Sequence, residues 1–232
     1  MTHTDTEAMD TLVDGILPHV PFDGWSRVAF DAAVSECGIE HEQASRICPR
    51  GALDLAVRHH VRADERLSAA LGSADLEGLR YSEKVGRVIE LRLDLAGDKE
   101  IVRRATAKFA LPHLAVEGAS LIWGTSDAIW NALGDTSKDI NWYSKRAILS
   151  SVYGSTVLFW LGDTSGGEET GAFIARRIEN VMQFEKFKST AKASKILGPI
   201  AAGIEKMTQN ISAPSGGFRS DFPGYHRPQD MK

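Results

Sequence analysis

An all-helical fold is what this sequence predicts. Three observations carry that expectation: apolar residues recur at three- and four-residue spacing, no segment sustains a two-residue alternation, and glycines stand as stop signals behind apolar runs. Between Tyr81 and Leu95, for example, Val85, Val88, Ile89, Leu91, Leu93 and Leu95 are interleaved with Lys84, Arg87, Glu90, Arg92 and Asp94, which suits an amphipathic helix. Gly72, Gly97, Gly134 and Gly162 each follow an apolar run. No hairpin dipeptide joins two strand-like runs, and no internal repeat is visible.

Taken in order, the spacing predicts helices over 5–20, 26–37, 41–48, 51–71, 79–96, 99–111, 113–133, 141–161, 167–186 and 187–211, followed by a Ser-, Gly- and Pro-rich tail over 212–232. The first helix ends before Gly24-Trp25. Ser26 is placed to cap a second helix carrying Ala29, Phe30, Ala32, Ala33 and Val34, and Gly38 supplies the turn into a short third. This is the outline of a helix-turn-helix head over 1–50, followed by a larger helical ligand domain over 51–186, and it resembles the TetR regulator fold. A ligand-responsive transcriptional regulator of that type is therefore the rival reading of function. Charge opposes it. Residues 1–60 hold ten acidic and four basic side chains, a net −6, and the would-be recognition helix carries Glu40 and Glu42 against Arg46. A DNA reader needs cations to neutralise phosphates, so no nucleic-acid partner is expected.

Two later helices carry the functional expectation. The Trp142–Leu161 helix is apolar on adjoining faces: Leu149, Tyr153, Thr156 and Trp160 on one, Ile148, Val152, Ser155 and Phe159 on the next. Such a helix is either a buried core element or the wall of an apolar cavity. Phe109, Leu149, Tyr153 and Trp160 are the candidate lipid-lining residues. Residues 187–211 form a stripe of Ile196, Leu197, Ile200, Ile204, Met207 and Ile211. Lys186, Lys188, Lys192, Lys195 and Lys206 decorate it against only Glu185 and Glu205, a local +3 in a chain of net −4. That suits a helix lying on an anionic membrane surface, with Lys188, Lys192, Lys195, Ile196, Leu197, Ile200, Ile204 and Met207 as contacts. Pro199 should kink it. Asp127, Trp130 and Asn131 share one helical face and suit a protein-partner anchor.

Catalytic chemistry is not apparent. The sequence has no Glu followed three residues later by His, no His-Glu-x-x-His, no Gly-x-Ser-x-Gly and no phosphate-cradling loop, so no catalytic residue, metal or cofactor is assigned and a non-enzyme is expected. Cys37 and Cys48 make neither a disulfide framework nor a zinc site and read as structural thiols. The longest uncharged stretch, Ala147 to Gly162, is too short and too polar to span a bilayer. The first ten residues hold Asp5, Glu7 and Asp10 and form neither a secretory signal nor a basic transit peptide.

The run Trp130-Asn131-Ala132-Leu133-Gly134-Asp135-Thr136-Ser137-Lys138-Asp139-Ile140-Asn141-Trp142-Tyr143, with Ser144-Lys145-Arg146 after it, resembles the signature of the coenzyme-Q protein nine family. Ile140 stands where that family commonly has an aromatic, and Cys48-Pro49 where it commonly has Phe-Pro. Val20-Pro21, Gly24-Trp25, Leu111-Pro112, Trp160-Leu161 and Arg176-Arg177 extend the resemblance over about residues 10–210. It implies a TetR-like fold without a transcriptional role and an accessory function in ubiquinone biosynthesis. It also implies binding of isoprenoid quinone intermediates or phospholipid, partnership with the di-iron demethoxyubiquinone hydroxylase, and a membrane-engaging terminal helix on a homodimer. The location expected is the cytoplasmic side of a bacterial inner membrane, or the mitochondrial matrix for a processed eukaryotic chain.

Overall fold

The computed structural model describes residues 3–74 and 76–192, and the side chains of 4–74 and 76–183. In chain order its helices are α1 (His3–Ile16), α2 (Val20–Asp23), α3 (Arg27–Glu36), α4 (His41–Ile47), α5 (Ala52–Leu71), α6 (Tyr81–Ala96), α7 (Lys99–Phe109), α8 (Ala115–Ala132), α9 (Ile140–Gly162) and α10 (Glu168–Lys192). No strand occurs among the described residues.

Prolines explain where helices stop short of the expected ends. The first helix, expected to reach residue 20, stops at Ile16, because Pro18 biases Leu17 away from helical geometry. The chain then makes one turn of helix, α2, with Pro21 at its start. Pro112 restricts Leu111 in the same way, so α7 ends at Phe109 rather than 111. The break expected at 186/187 is absent: α10 runs without interruption through Lys192. Neither Gly nor Pro occurs from Ala172 to Ile196, so nothing in the sequence interrupts it there.

The chain forms two compact units. Among the described residues, the first comprises 3–69 and 92–121, and its core draws on residues of the first 50 together with later ones. That core joins Leu12, Val13, Ile16, Val20, Trp25, Phe30, Ala33, Val34, Ile47, Leu55 and Ile101. Ser26 caps α3 by accepting a hydrogen bond from the Ala29 amide, as its position predicts. The buried Trp25 donates its indole N–H to the Ile101 carbonyl at 3.3 Å. Arg58 pairs with Asp10 at 2.7 Å and Arg62 with Asp14 at 2.6 Å, tying α5 to α1. Burial pushes the Cys48 thiol up to about 12, and both cysteines are free, so neither is poised as a thiolate nucleophile.

Among the described residues, the second unit comprises 70–74, 76–91 and 122–192. Here α9 packs along α10, with the Phe159 and Phe173 rings stacked at 4.4 Å between centroids. Leu149, Val152, Tyr153, Thr156, Val157 and Trp160 of α9 are buried, but Leu158 is 64% exposed, so the helix has one outward side. Asp163 organises the start of α10. Its carboxylate accepts from the Ser165 amide and from the amide and hydroxyl of Thr170, and these bonds hold its pKa far below the usual carboxylate range.

Candidate functional site

The corner between α8 and α9 is built around Arg146, which is 1% exposed. Gly134, at φ +76°, ends α8. Its amide bonds to the Asn131 carbonyl and the next amide, Asp135, to the Trp130 carbonyl, the two-bond glycine cap that satisfies terminal carbonyls. This cap turns Asp135 back toward α9. Asp139 then caps α9 by accepting from the Asn141 amide at 3.0 Å. Arg146 sits where these segments converge. It donates to Asp127 at 2.6 Å, Asp135 at 3.1 Å, Asn131 at 3.3 Å and the Trp142 carbonyl at 3.2 Å, and its guanidinium lies 4.0 Å from the Trp142 ring centroid. Lys145 joins from the outer side, at 2.7 Å from Asp135 and 2.8 Å from Ser137. Burial pushes the Asp135 carboxyl up, but bonds from Lys145, Ser137 and Arg146 outweigh it and hold the group at about 2. Both carboxylates facing Arg146 are thus engaged, which is what a buried cation requires.

An apolar groove of about 230 Å³ opens beside this corner, lined by Tyr81, Val85, Trp130, Leu149, Val152 and Ile178 among others. Tyr81 and Met182, 53% and 45% exposed, stand at its mouth. The Tyr81 and Trp130 rings stack at 6.2 Å with a 24° tilt, and the Lys145 ammonium lies 5.4 Å from the Trp130 centroid. The volume is below the usual range of closed ligand pockets, so the groove would hold part of a long lipid rather than the whole.

The expected lipid residues do not converge on this groove. Leu149 lines it. Tyr153 and Trp160 are buried on α9 but do not line it, and Phe109 packs against the core of the first unit. Asp127, Trp130 and Asn131 do come together, through Arg146 and the Asn131–Asp127 hydrogen bond at 3.0 Å, while Trp130 is half-buried in the groove wall rather than standing free. Lys195, Ile196, Leu197, Ile200, Ile204 and Met207 lie outside the described residues. Lys188 and Lys192 fall on the described backbone of α10, their side chains outside the description. The reading from sequence missed Tyr81, Val85, Ile178 and Met182. It quoted Asp135, Lys145 and Arg146 without giving them a role. Among the described residues no cluster of His, Cys, Asp or Glu could hold a metal ion, and no helix is long and apolar enough to cross a membrane.

The COQ9 family model matches residues 115–185, which hold α8, α9, the buried arginine and most of the groove wall. The chain is a relative of the COQ9 proteins. It is 29% identical over 188 residues to the probable ubiquinone biosynthesis protein coq9, mitochondrial, of Dictyostelium discoideum, covering 77% of this chain and 61% of that one. It is 28% identical over 203 residues to the Homo sapiens ubiquinone biosynthesis protein COQ9, mitochondrial, covering 82% and 64%. The Schizosaccharomyces pombe protein of that name is 28% identical over 174 residues, covering 73% and 68%. The matches to the first two relatives span about three fifths of those proteins' length. The resemblance read from the Trp130–Arg146 run is thereby confirmed. In structure, the COQ9-like chain is similar to the TetR transcriptional regulator from Nitrosomonas europaea ATCC 19718, with a TM-score of 0.60 at 20% identity, covering 75% of this chain and 97% of that one. That likeness establishes the TetR-like fold.

Proposed function

We propose that the protein is a lipid-binding accessory factor of ubiquinone biosynthesis. It takes part of an isoprenoid quinone intermediate into the groove beside Trp130 and presents it, at a membrane surface, to the di-iron demethoxyubiquinone hydroxylase. The single observation that carries this reading is the open apolar groove set against a fully paired ionic corner, within the segment that matches COQ9. Exposed apolar surface of this kind is costly in water unless something covers it. An isoprenoid chain gains about 0.8 kcal/mol for each methylene it buries. The contribution is binding and positioning, with no bond made or broken by the protein itself. Residues 187–211 supply the membrane contact by their basic amphipathic pattern, and the Asp127–Trp130–Asn131 face is the contact for the hydroxylase. The regulator reading shares the fold but lacks the charge, since residues 1–60 carry a net −6.

Plugging the groove tests the reading. Val181 lies half-buried on its wall, and Val181→Trp should fill it. Titration of the full chain with a short-tailed benzoquinone in detergent micelles should show saturable binding for the wild type. The plugged variant should bind at least about tenfold more weakly, the factor that corresponds to about 1.4 kcal/mol. Equal binding by the two proteins, with unchanged thermal stability, would place the lipid elsewhere.

A further inference from the structure

The apolar groove adjoins a second, polar concavity. Ser82, Ile178 and Met182 line both, and the second, of about 720 Å³, runs between α6 and α10. Among the described residues α10 packs closely along α9 but not along α6, which leaves a trough between them. Gly86 and Gly171 keep its floor low. A Cβ at Gly86 would stand 3.5 Å from Ile174 and Ile178, and one at Gly171 would stand 3.1 Å from the Glu90 carboxylate. The rim of the trough is charged. Arg80 pairs with Glu83 at 2.6 Å and Arg87 with Glu90 at 2.9 Å, so α6 contributes two closed ion pairs. Glu179 lines the trough from α10, and no cation pairs with it among the described residues; it accepts from the Gln183 side-chain amide at 3.2 Å. Arg176 and Arg177, just before it, lie over the Phe173 ring instead. The lining thus sets two arginines against three glutamates, an excess of one negative charge.

We infer that this trough is the head-group subsite of the lipid site, admitting neutral aromatic heads that carry hydroxyl groups and rejecting heads that carry a carboxylate. The inference rests on the reading that the groove holds an isoprenoid lipid, and adds where its polar end lies and which heads are accepted. The driving force for a tail is removal of apolar surface from water, which the groove offers and a charged rim does not. The two concavities meet at Ser82, Ile178 and Met182, so one molecule can occupy both. The 230 Å³ of the groove then needs to hold only tail. A phenolic hydroxyl is a hydrogen-bond donor, and Glu179 is an acceptor not neutralised by any cation. A carboxylate in the same place would bring a second negative charge to a rim whose arginines are already engaged. The rim is open to water, so the discrimination is modest and weakens with salt.

The test compares three ligands that share one tail. The full chain is titrated at pH 7.5 in uncharged detergent micelles with a phenol bearing two isoprene units, with the benzoic acid bearing the same chain, and with the chain alone. At that pH the phenol is neutral and the acid ionised. Glu179→Gln should lower the ratio of phenol to benzoate affinity about fivefold, and Glu179→Lys should lower it further. Every protein meets the same micelles, so ligand partitioning cancels between them. Ala175→Trp, at an exposed position on the trough, should weaken phenol binding at least about fivefold and leave the bare chain within about twofold of wild type. Both sites are exposed, so the substitutions should leave the fold intact. Added salt should shrink the wild-type preference. A ratio unchanged in both Glu179 variants, or wild-type phenol binding by Ala175→Trp, would overturn the inference while the bare chain's binding leaves the groove reading standing. If none of the three ligands binds, both fall together.

Discussion

Replacing Arg146 by Ala is expected to lower stability by about 3–5 kcal/mol, the range for removing one partner of a buried ion pair. The truncation leaves Asp127 and Asp135 facing one another without their shared cation, and it strips the Trp142 ring of the guanidinium 4.0 Å from its centroid. For a chain of this length that corresponds to a fall of roughly 10 °C in Tm. Three comparisons separate the buried cation from generic loss of packing. Lys145→Met removes a charge that is 39% exposed in its side chain, and should cost no more than about 1 kcal/mol. Arg146→Lys keeps the charge but not the fork that reaches Asp127, Asp135 and Asn131 together, and should fall between the two. Arg146→Met combined with Asp127→Asn and Asp135→Asn removes charge on both sides and should recover part of the loss. Urea titrations of the wild type and the four variants would measure this. An Arg146→Ala variant within 1 kcal/mol of wild type would mean that the corner is not held from its centre.

The second large effect is expected in acid. His59 is mostly buried, its ring 5.9 Å from that of Trp25, and burial, helped by the nearby Arg62 and Arg92 charges, lowers its pKa to about 4. In the unfolded chain the imidazole takes its proton near pH 6.5. Between these values the unfolded state binds a proton that the folded state refuses, so stability falls as pH drops from 6.5 toward 4. The full loss is up to about 3 kcal/mol, from the separation of the two pKa values. The carboxylates act lower on the scale. The depressed pKa of Asp135, and that of Asp163, stabilise the fold above the unfolded carboxylate value of 3.8 and lose that contribution only as pH falls below it. The window from 6.5 to 4 therefore reports on His59. Unfolding midpoints at pH 7.5 and 4.5 should differ markedly for the wild type and much less for His59→Phe. A His59→Phe variant as acid-sensitive as the wild type would assign the effect to other groups.

Much of the fold was legible in the sequence because helices announce themselves locally. The alternation of Val85, Val88, Ile89 and Leu93 with charged residues, the Ser26 cap and the Gly134 stop all act within a turn or two. Errors fell where a local rule was given too little weight, as at Pro18 and Pro112. The site was less legible because it is assembled across distance. The Tyr81 ring reaches Trp130 from 49 residues upstream, and the groove's far wall comes from Ile178 and Met182. The partners of Arg146 sit 19 and 11 residues before it, brought into reach only by the turn at Gly134. The two-faced apolar character of α9 pointed to a lipid wall but could not tell which face closes into core. Tyr153 and Trp160 are buried, and Leu149 with Val152 reaches the groove.

The most direct test of the central claim is to ask what the protein carries. The full chain, purified from cells that make ubiquinone and without lipid-stripping detergent, would be examined by native mass spectrometry, then extracted with organic solvent and its lipids identified. A bound isoprenoid quinone or quinone precursor, reduced in Val181→Trp, is the predicted result. Protein that carries no lipid, and that takes up none from quinone-loaded vesicles, would contradict the account.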